Sequence, residues 1–491
     1  MSISPKHGTA IGPSPISIPG NSPGVAGLLL GSGGVLAFLI CYLAFDSNSA
    51  VAWSVVTITT AGAVAWQRFR ANGLLDALGL FSFGFLAYNG ILLLRLATMA
   101  DPTATIYPWP FTQETYGRAG GLNAVAGITI LLTATLATRI FGANKRNIRT
   151  DATTDGANSG WFYAGLAMYV VGLAMYFLQY QQYGGYFAVM QKGRLLSCDQ
   201  GDANKLSWPY LMFIVPGIAG MWYAVAGQRK AAWGKWVAWA SLVLWCGLEL
   251  LQGYRLLIVQ AVFAVLAVWF TRKRRPFKID LRVSVLLLVV YGAFASFAYL
   301  RNYIPPLFGG EMTAAEAGAA VQSTSWLDAI KPERTELAGP YLSLLQASSG
   351  AASILTDISY FEAIPAVLPR ALYPGTKPAY FSERFAVSLA RGSGPVAGWG
   401  FNPVAEAYMN FGIGGIIVIF MLWTLAFFWL DKLKYQAPLG TLLFAVLLAE
   451  AIDANRIDFR NIYAIALYFS AGVMLMLFLS KLFTRIARAD S

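Results

Sequence analysis

Arginine is the residue whose placement in this chain most clearly invites chemistry. Arg255 lies in Gly253-Tyr254-Arg255, between two apolar runs, with Glu249 six residues before it. A guanidinium grips phosphate and carboxylate groups bidentately, and an ionisable side chain at membrane depth is costly unless it is used. Snorkelling to the membrane surface with Glu249 as partner is the plainer alternative. Arg301 follows an apolar run directly, and Arg456 and Arg460 share a short turn with Asp458, close to Asp453. There an ion-pair cluster and an anion site are equally open. Arg370, Lys377, Arg384 and Arg391 fall in a segment punctuated by proline and glycine. Glu406 and Asn410 are spaced i, i+4, so they share one face where another apolar run begins. A helix starting there offers free N–H groups to an anion. Arginines, a few carboxylates and aromatics around the mouth of an apolar bundle suit an amphiphile with an anionic headgroup and a polar moiety, such as a lipid-linked phosphate or pyrophosphate sugar. Trp326, Tyr341, Tyr360, Tyr373, Tyr380, Trp399 and Tyr408 are candidates to stack on its sugar rings.

Other chemistries are poorly supplied. His7 is the only histidine, which argues against a Ser-His-Asp mechanism. Cys41, Cys198 and Cys246 are not placed to pair, and no Cys/His cluster has metal-ligand spacing. No metal and no cofactor is expected.

The elements that must position these residues are apolar helices. Of the 491 residues 57% are hydrophobic and 12% charged, whereas a soluble chain carries about 25% charged residues. A span needs about 20 mostly apolar residues. Twelve runs qualify: 24–45, 50–66, 74–98, 119–140, 160–180, 207–226, 233–251, 256–271, 283–300, 407–430, 439–453 and 461–480. The first is too long for a signal-peptide core and is expected to be retained. With the N-terminus cytoplasmic, the cytoplasmic segments hold 21 basic and five acidic residues, net +16. The rest holds 15 basic and 19 acidic, net −4. This asymmetry is the positive-inside pattern. It accounts for the +12 net charge without nucleic acid as a partner.

The expected fold is therefore all-α: a polytopic integral membrane bundle of about twelve helices with one large periplasmic loop. Its expected organisation is a disordered cytoplasmic tail (1–23), nine spans (24–300), the loop (301–406), three spans (407–482) and a cytoplasmic C-terminal tail (483–491). A loop that long is usually functional. The halves of the chain look unlike each other, which counts against a transporter built from repeats.

Three patches resemble the O-antigen/oligosaccharide repeat-unit polymerases (Wzy-type): Gly253-Tyr254-Arg255-Leu256-Leu257, Leu368 to Pro378, and Glu406-Ala407-Tyr408-Met409-Asn410-Phe411-Gly412. The resemblance implies a metal-independent glycosyltransferase of the bacterial inner membrane, GT-C-like in fold. Such an enzyme joins undecaprenyl-pyrophosphate-linked oligosaccharide units into O-antigen or a related surface polysaccharide on the periplasmic face. It implies pyrophosphate binding by Arg255 and Arg370, with Arg301 placed by position. Glu406 is the candidate to orient or deprotonate the acceptor hydroxyl. Lys377, Arg384, Arg391, Asn410, Arg456 and Arg460 are the further substrate-binding candidates. Membrane lipid and a chain-length regulator protein are the partners implied. The related O-antigen ligases carry a histidine in the large loop, and this loop has none, which favours the polymerase. A flippase or transporter of lipid-linked sugar is the remaining alternative.

Overall fold

The structure, a computed structural model, describes residues 49–98, 111–141, 155–181, 184–188, 209–226, 232–252, 255–273, 338–350, 359–367, 400–436 and 438–489, with isolated positions between 277 and 319. The helices are α1 (Ser49–Asn72), α2 (Ala77–Phe85), a π-helical turn (Leu86–Ile91), α3 (Leu92–Ala97), α4 (Gln113–Phe141), α5 (Asp155–Gln181), α6 (Pro209–Ala226) and α7 (Ala232–Leu251). They continue as α8 (Leu256–Arg272), α9 (Ala338–Ser348), α10 (Ser359–Ala366), α11 (Pro403–Leu433), α12 (Pro438–Leu447), α13 (Glu450–Asp453) and α14 (Phe459–Ala489). Among the described residues there is no β-strand. Seven segments are long and apolar enough to cross a membrane: α1, α2 through α3, α4, α5, α7, α11 and α14. Three shorter apolar helices, α6, α8 and α12, join them. The protein is a polytopic helical membrane bundle. The predicted N-terminal tail (1–23) and the predicted run 24–45 lie outside the described residues, as do 283–300 apart from Val285 and most of 301–406. The predicted C-terminal tail continues α14 as far as Ala489.

The bundle has two distinct ends. At one, the last turn of α1 and the first of α2 meet the last turn of α11, where Arg68 Nη2 donates to Asp431 Oδ2 at 2.8 Å. At the other, α11 and α14 begin, and Phe459 N–H donates to Glu406 Oε2 at 2.9 Å. The start of α8 is tied to α13, next to the start of α14, by Gln260 Nε2 donating to Glu450 Oε1 at 2.6 Å. Helices α5 and α7 run parallel: Tyr169 Oη donates to Ser241 O at 2.9 Å and, eleven residues along each helix, Tyr180 Oη to Gln252 Oε1 at 2.6 Å. Since α8 follows α7 almost directly, the C-termini of α5 and α7 also lie at the Glu406 end.

Proline and glycine set the approach of α6 to α14. Pro216, inside α6, has no N–H to give the Met212 carbonyl. Gly472 of α14 sits against that carbonyl, and a Cβ there would strike both Met212 O and the Pro216 ring. Gly472→Val is expected to cost about 1–3 kcal/mol, as overpacking does. Thermal unfolding in detergent micelles measures this, and an unchanged melting temperature would mean that the two helices do not meet there.

Part of the predicted outer loop belongs to the core. In α9, Tyr341, Leu342, Leu344 and Leu345 are fully buried. Helix α11 begins at Pro403, ahead of the predicted start at 407, so Glu406 lies in its first turn.

Candidate functional site

The start of α11 is fixed by a chain of buried amides. Asn402 caps it: Val404 N–H donates to Asn402 Oδ1 at 2.9 Å, and Pro403 fills the first helical position, where no N–H is needed. Asn402 Nδ2 donates to Asn89 Oδ1 at 2.7 Å, within the π-helical turn. Asn402 N–H donates to Ser343 Oγ at 2.9 Å, which itself donates to Pro340 O at 2.7 Å. Asn123 Nδ2 then donates to Asn89 O at 3.2 Å and to Tyr341 Oη at 3.4 Å. Asn89, Asn123, Ser343 and Asn402 have no solvent exposure. Nine residues into the helix the backbone breaks at Gly412, with φ 65° and ψ −155°, a region that only glycine enters readily.

Between the cap and the break stand Glu406 and Asn410. Ser359, the first residue of α10, is held by both: its Oγ–H donates to Glu406 Oε1 at 2.6 Å, and its N–H to Asn410 Oδ1 at 2.8 Å. Asn410 Nδ2 donates to Ser359 Oγ at 3.1 Å and to Glu406 O at 2.7 Å. The second carboxylate oxygen of Glu406 takes the Phe459 N–H, one of the N–H groups that α14 cannot satisfy itself. Asp458 takes another, from Asn461 N–H at 3.0 Å. Two carboxylates from different parts of the chain thus cap one helix, and the i, i+4 pair pins α10 to α11. Tyr360 covers this knot, with its ring 4.9 Å from Phe459 and stacked on Phe411 at 5.9 Å. Burial, with the Glu406 charge adding, pushes the Tyr360 hydroxyl well above its ordinary value, so it stays neutral.

The arginines lie around this knot. Arg456 Nε donates to Asp453 Oδ1 at 2.7 Å, and its carbonyl accepts Phe401 N–H at 2.9 Å. Of the two alternatives open for that turn, an ion pair is present for Arg456. Arg460 is in the first turn of α14 and 8% exposed. Arg255 stands half-buried at the N-cap of α8, five residues before Gln260. Burial, with Asp453 adding, pushes the Glu450 carboxyl beside Gln260 well above its ordinary value. Glu249 is fully buried and faces the Tyr176 hydroxyl.

The structure so brings Glu406, Asn410, Arg456 and Arg460 to one helix-end cluster and Arg255 to the same end of the bundle. Arg301, Arg370, Lys377, Arg384 and Arg391 lie outside the described residues. Of the aromatics considered for sugar stacking, Tyr341 and Tyr360 are committed inward, Tyr341 having no exposure at all. Ser359, Asn89, Asn123 and Glu450 carry no local sequence signal, because their partners are far along the chain. Asn402-Pro403 does carry one, the polar cap followed by proline.

These features define a multi-span helical membrane protein with a buried polar knot at one end, beside arginines. The family model of the O-antigen polysaccharide polymerase Wzy matches residues 375–485. That stretch holds the knot on α11, the Arg456–Asp453 pair and Arg460, and the match supports a Wzy-type family assignment. No curated protein and no solved structure matches the chain.

Proposed function

We propose that the chain polymerises undecaprenyl-pyrophosphate-linked oligosaccharide units on the periplasmic face of the bacterial inner membrane, without a metal ion. The observation that carries this is that the family match at 375–485 falls on the structured end where Glu406, Arg456 and Arg460 gather. In the reaction, the bond between the anomeric carbon of the growing chain and its pyrophosphate oxygen breaks. A glycosidic bond forms to a hydroxyl oxygen of the incoming unit, the hydroxyl gives up its proton, and the lipid pyrophosphate leaves. Charge develops on the pyrophosphate, and preorganised guanidinium groups are the fitting response.

Arg255 is assigned to that charge. A cation at a helix N-terminus opposes the helix dipole, and an anion bound there interacts favourably with both the guanidinium and the N-terminal N–H groups of α8. Arg370, Arg301, Lys377, Arg384, Arg391 and Arg460 are proposed as further contacts to the substrate. Glu406 has both oxygens engaged and is 1% exposed, which supports a positioning role as its resting task. An acceptor hydroxyl that displaced Ser359 Oγ would inherit its hydrogen bond to Oε1, and Glu406 would then act as the base.

The test is loss of the gene in its host. If the product is lipopolysaccharide, the surface glycan is expected to shorten to a single repeat unit on otherwise complete core. A core with no repeat at all would point instead to a ligase or flippase and overturn the proposal. A reporter fused within 310–390 is expected to read out on the periplasmic side, and a cytoplasmic signal there would reverse the topology.

A further inference from the structure

A second polar cluster lies at the same end of the bundle, away from Glu406. Trp245 and Glu249 are spaced i, i+4 on one face at the C-terminal end of α7, and Gln252 follows directly after the helix. Facing them is the end of α5, where the Tyr176 ring packs edge-on against Trp245 at 5.2 Å and Tyr180 at 4.8 Å. Tyr186 closes the side, 6.2 Å from Tyr176. Tyr176, Trp245 and Glu249 have no solvent exposure.

The hydrogen bonding inside this box is incomplete in a specific way. The Tyr180 and Tyr186 hydroxyls are spoken for, donating to Gln252 Oε1 at 2.6 Å and to Leu248 O at 2.7 Å. The Glu249 carboxylate has only the Tyr176 hydroxyl turned towards it among the described residues, and Trp245 Nε1 and Gln252 Nε2 have no partner there. Buried polar groups are nearly always paired, so a group of such atoms asks for an explanation. The set is mixed. Glu249 can only accept while ionised, Trp245 Nε1 and Gln252 Nε2 can only donate, and Tyr176 does either. A metal ion or an ammonium group would satisfy Glu249 and leave the two donors stranded. An anion would satisfy the donors and face the carboxylate. A vicinal pair of hydroxyls both gives and takes hydrogen bonds, and the apolar face of a sugar ring is the natural partner of aromatic walls.

We infer that the aromatic box around Glu249 is a sugar-binding subsite, with Glu249 accepting from ring hydroxyls and Trp245 Nε1 and Gln252 Nε2 donating to them. The polymerase proposal enters only as the source of the sugar, a residue of the lipid-linked oligosaccharide. The box is closed in this structure, and Tyr186 is the wall that must move to admit a ring. It is carried on Gly184 and Gly185, whose φ angles are 88° and 100°, outside any helix.

The experiment is saturation-transfer NMR on the full chain in phosphatidylethanolamine/phosphatidylglycerol nanodiscs. The probes are methyl glycosides of hexoses and N-acetylhexosamines, with tetramethylammonium as competitor. At least one glycoside is expected to receive saturation, with Kd raised at least about tenfold, roughly 1.4 kcal/mol, by Glu249→Gln and by Trp245→Phe. Tetramethylammonium is expected not to compete. Failure of every glycoside to bind, binding unchanged in both variants, or displacement by tetramethylammonium would each overturn the inference. Glu249→Gln preserves side-chain shape and Trp245→Phe keeps an aromatic ring in the wall, and the thermal unfolding of each variant shows whether it is folded. If one does not fold, the other decides. Glycoside binding is read without any polymerisation, whereas failure of the polymerase proposal shows in the surface glycan, so the two can fail separately.

Discussion

Arg255→Ala is expected to stop chain extension while the protein accumulates at its normal level. The two halves of this expectation have different causes. Arg255 sits at the N-cap of α8 and makes no side-chain capping hydrogen bond there. Its charge opposes the helix dipole, so α8 itself loses nothing when the charge is removed. Catalysis is another matter. If the guanidinium stabilises the departing pyrophosphate, its loss should cost about 10²–10³-fold in turnover, the usual effect of deleting one preorganised donor. Arg255→Lys keeps the charge but loses the planar fork, and so should recover only part of the activity. The measurement is the ladder of surface glycan lengths on a gel beside an immunoblot of the protein. A normal ladder from Arg255→Ala would remove Arg255 from the site.

How much of this was legible in the sequence depends on how local each feature is. The apolar runs gave the helices, because crossing a membrane imposes length and composition on contiguous residues. Asn402-Pro403 marks a helix start on its face. The i, i+4 spacing of Glu406 and Asn410 correctly places them together, and the structure adds that both hold Ser359, 47 and 51 residues earlier. That partner is invisible to any local pattern. Asp76 is a different case, because its partners are close in the chain. In the sequence it falls inside an apolar run and needs a partner elsewhere in the bundle. In the structure it is the N-cap of α2, bound by Arg68 and Asn72 just ahead of it and sharing Arg68 with Asp431. Counting charges treats Arg68, Asp431 and Lys434 as markers of one side of the membrane. They do lie together at one end of the bundle, but as members of a buried cluster that no count of charges reveals.

That cluster should give the largest stability effect in the molecule. Arg68 grips Asp76 through Nε at 2.9 Å and Nη2 at 2.8 Å, and Nη2 also reaches Asp431 at 2.8 Å. Asp431 in turn accepts the N–H of Ala77 at 2.6 Å and of Leu78 at 3.2 Å. Helix α11 thus carries a carboxylate near each end, and each caps a different helix: Asp431 caps α2, and Glu406 caps α14. Its position between two helix starts ties both ends of the bundle to one element, so loosening the Arg68 end should disturb the Glu406 end as well. Arg68→Met would leave two buried carboxylates without the guanidinium that bonds both, Lys434 being the remaining cation of the cluster. Breaking a buried pair from one side costs about 3–5 kcal/mol, and a marked drop in thermal unfolding temperature in detergent is expected. Asp431→Asn keeps an acceptor for one backbone N–H and should cost less. The pH dependence has a definite sign. Burial alone would raise the Asp76 carboxyl, but Arg68 and the hydrogen bonds from Gly79 and Asn72 hold it below its ordinary 3.8. Its contribution to stability is therefore complete above that value and is lost only as pH falls through the lower value it has in the folded protein. Wild type should lose stability on acidification through that window, and Asp76→Asn should lose less. If Arg68→Met unfolds at the wild-type temperature, the cluster does not hold α1, α2 and α11 together.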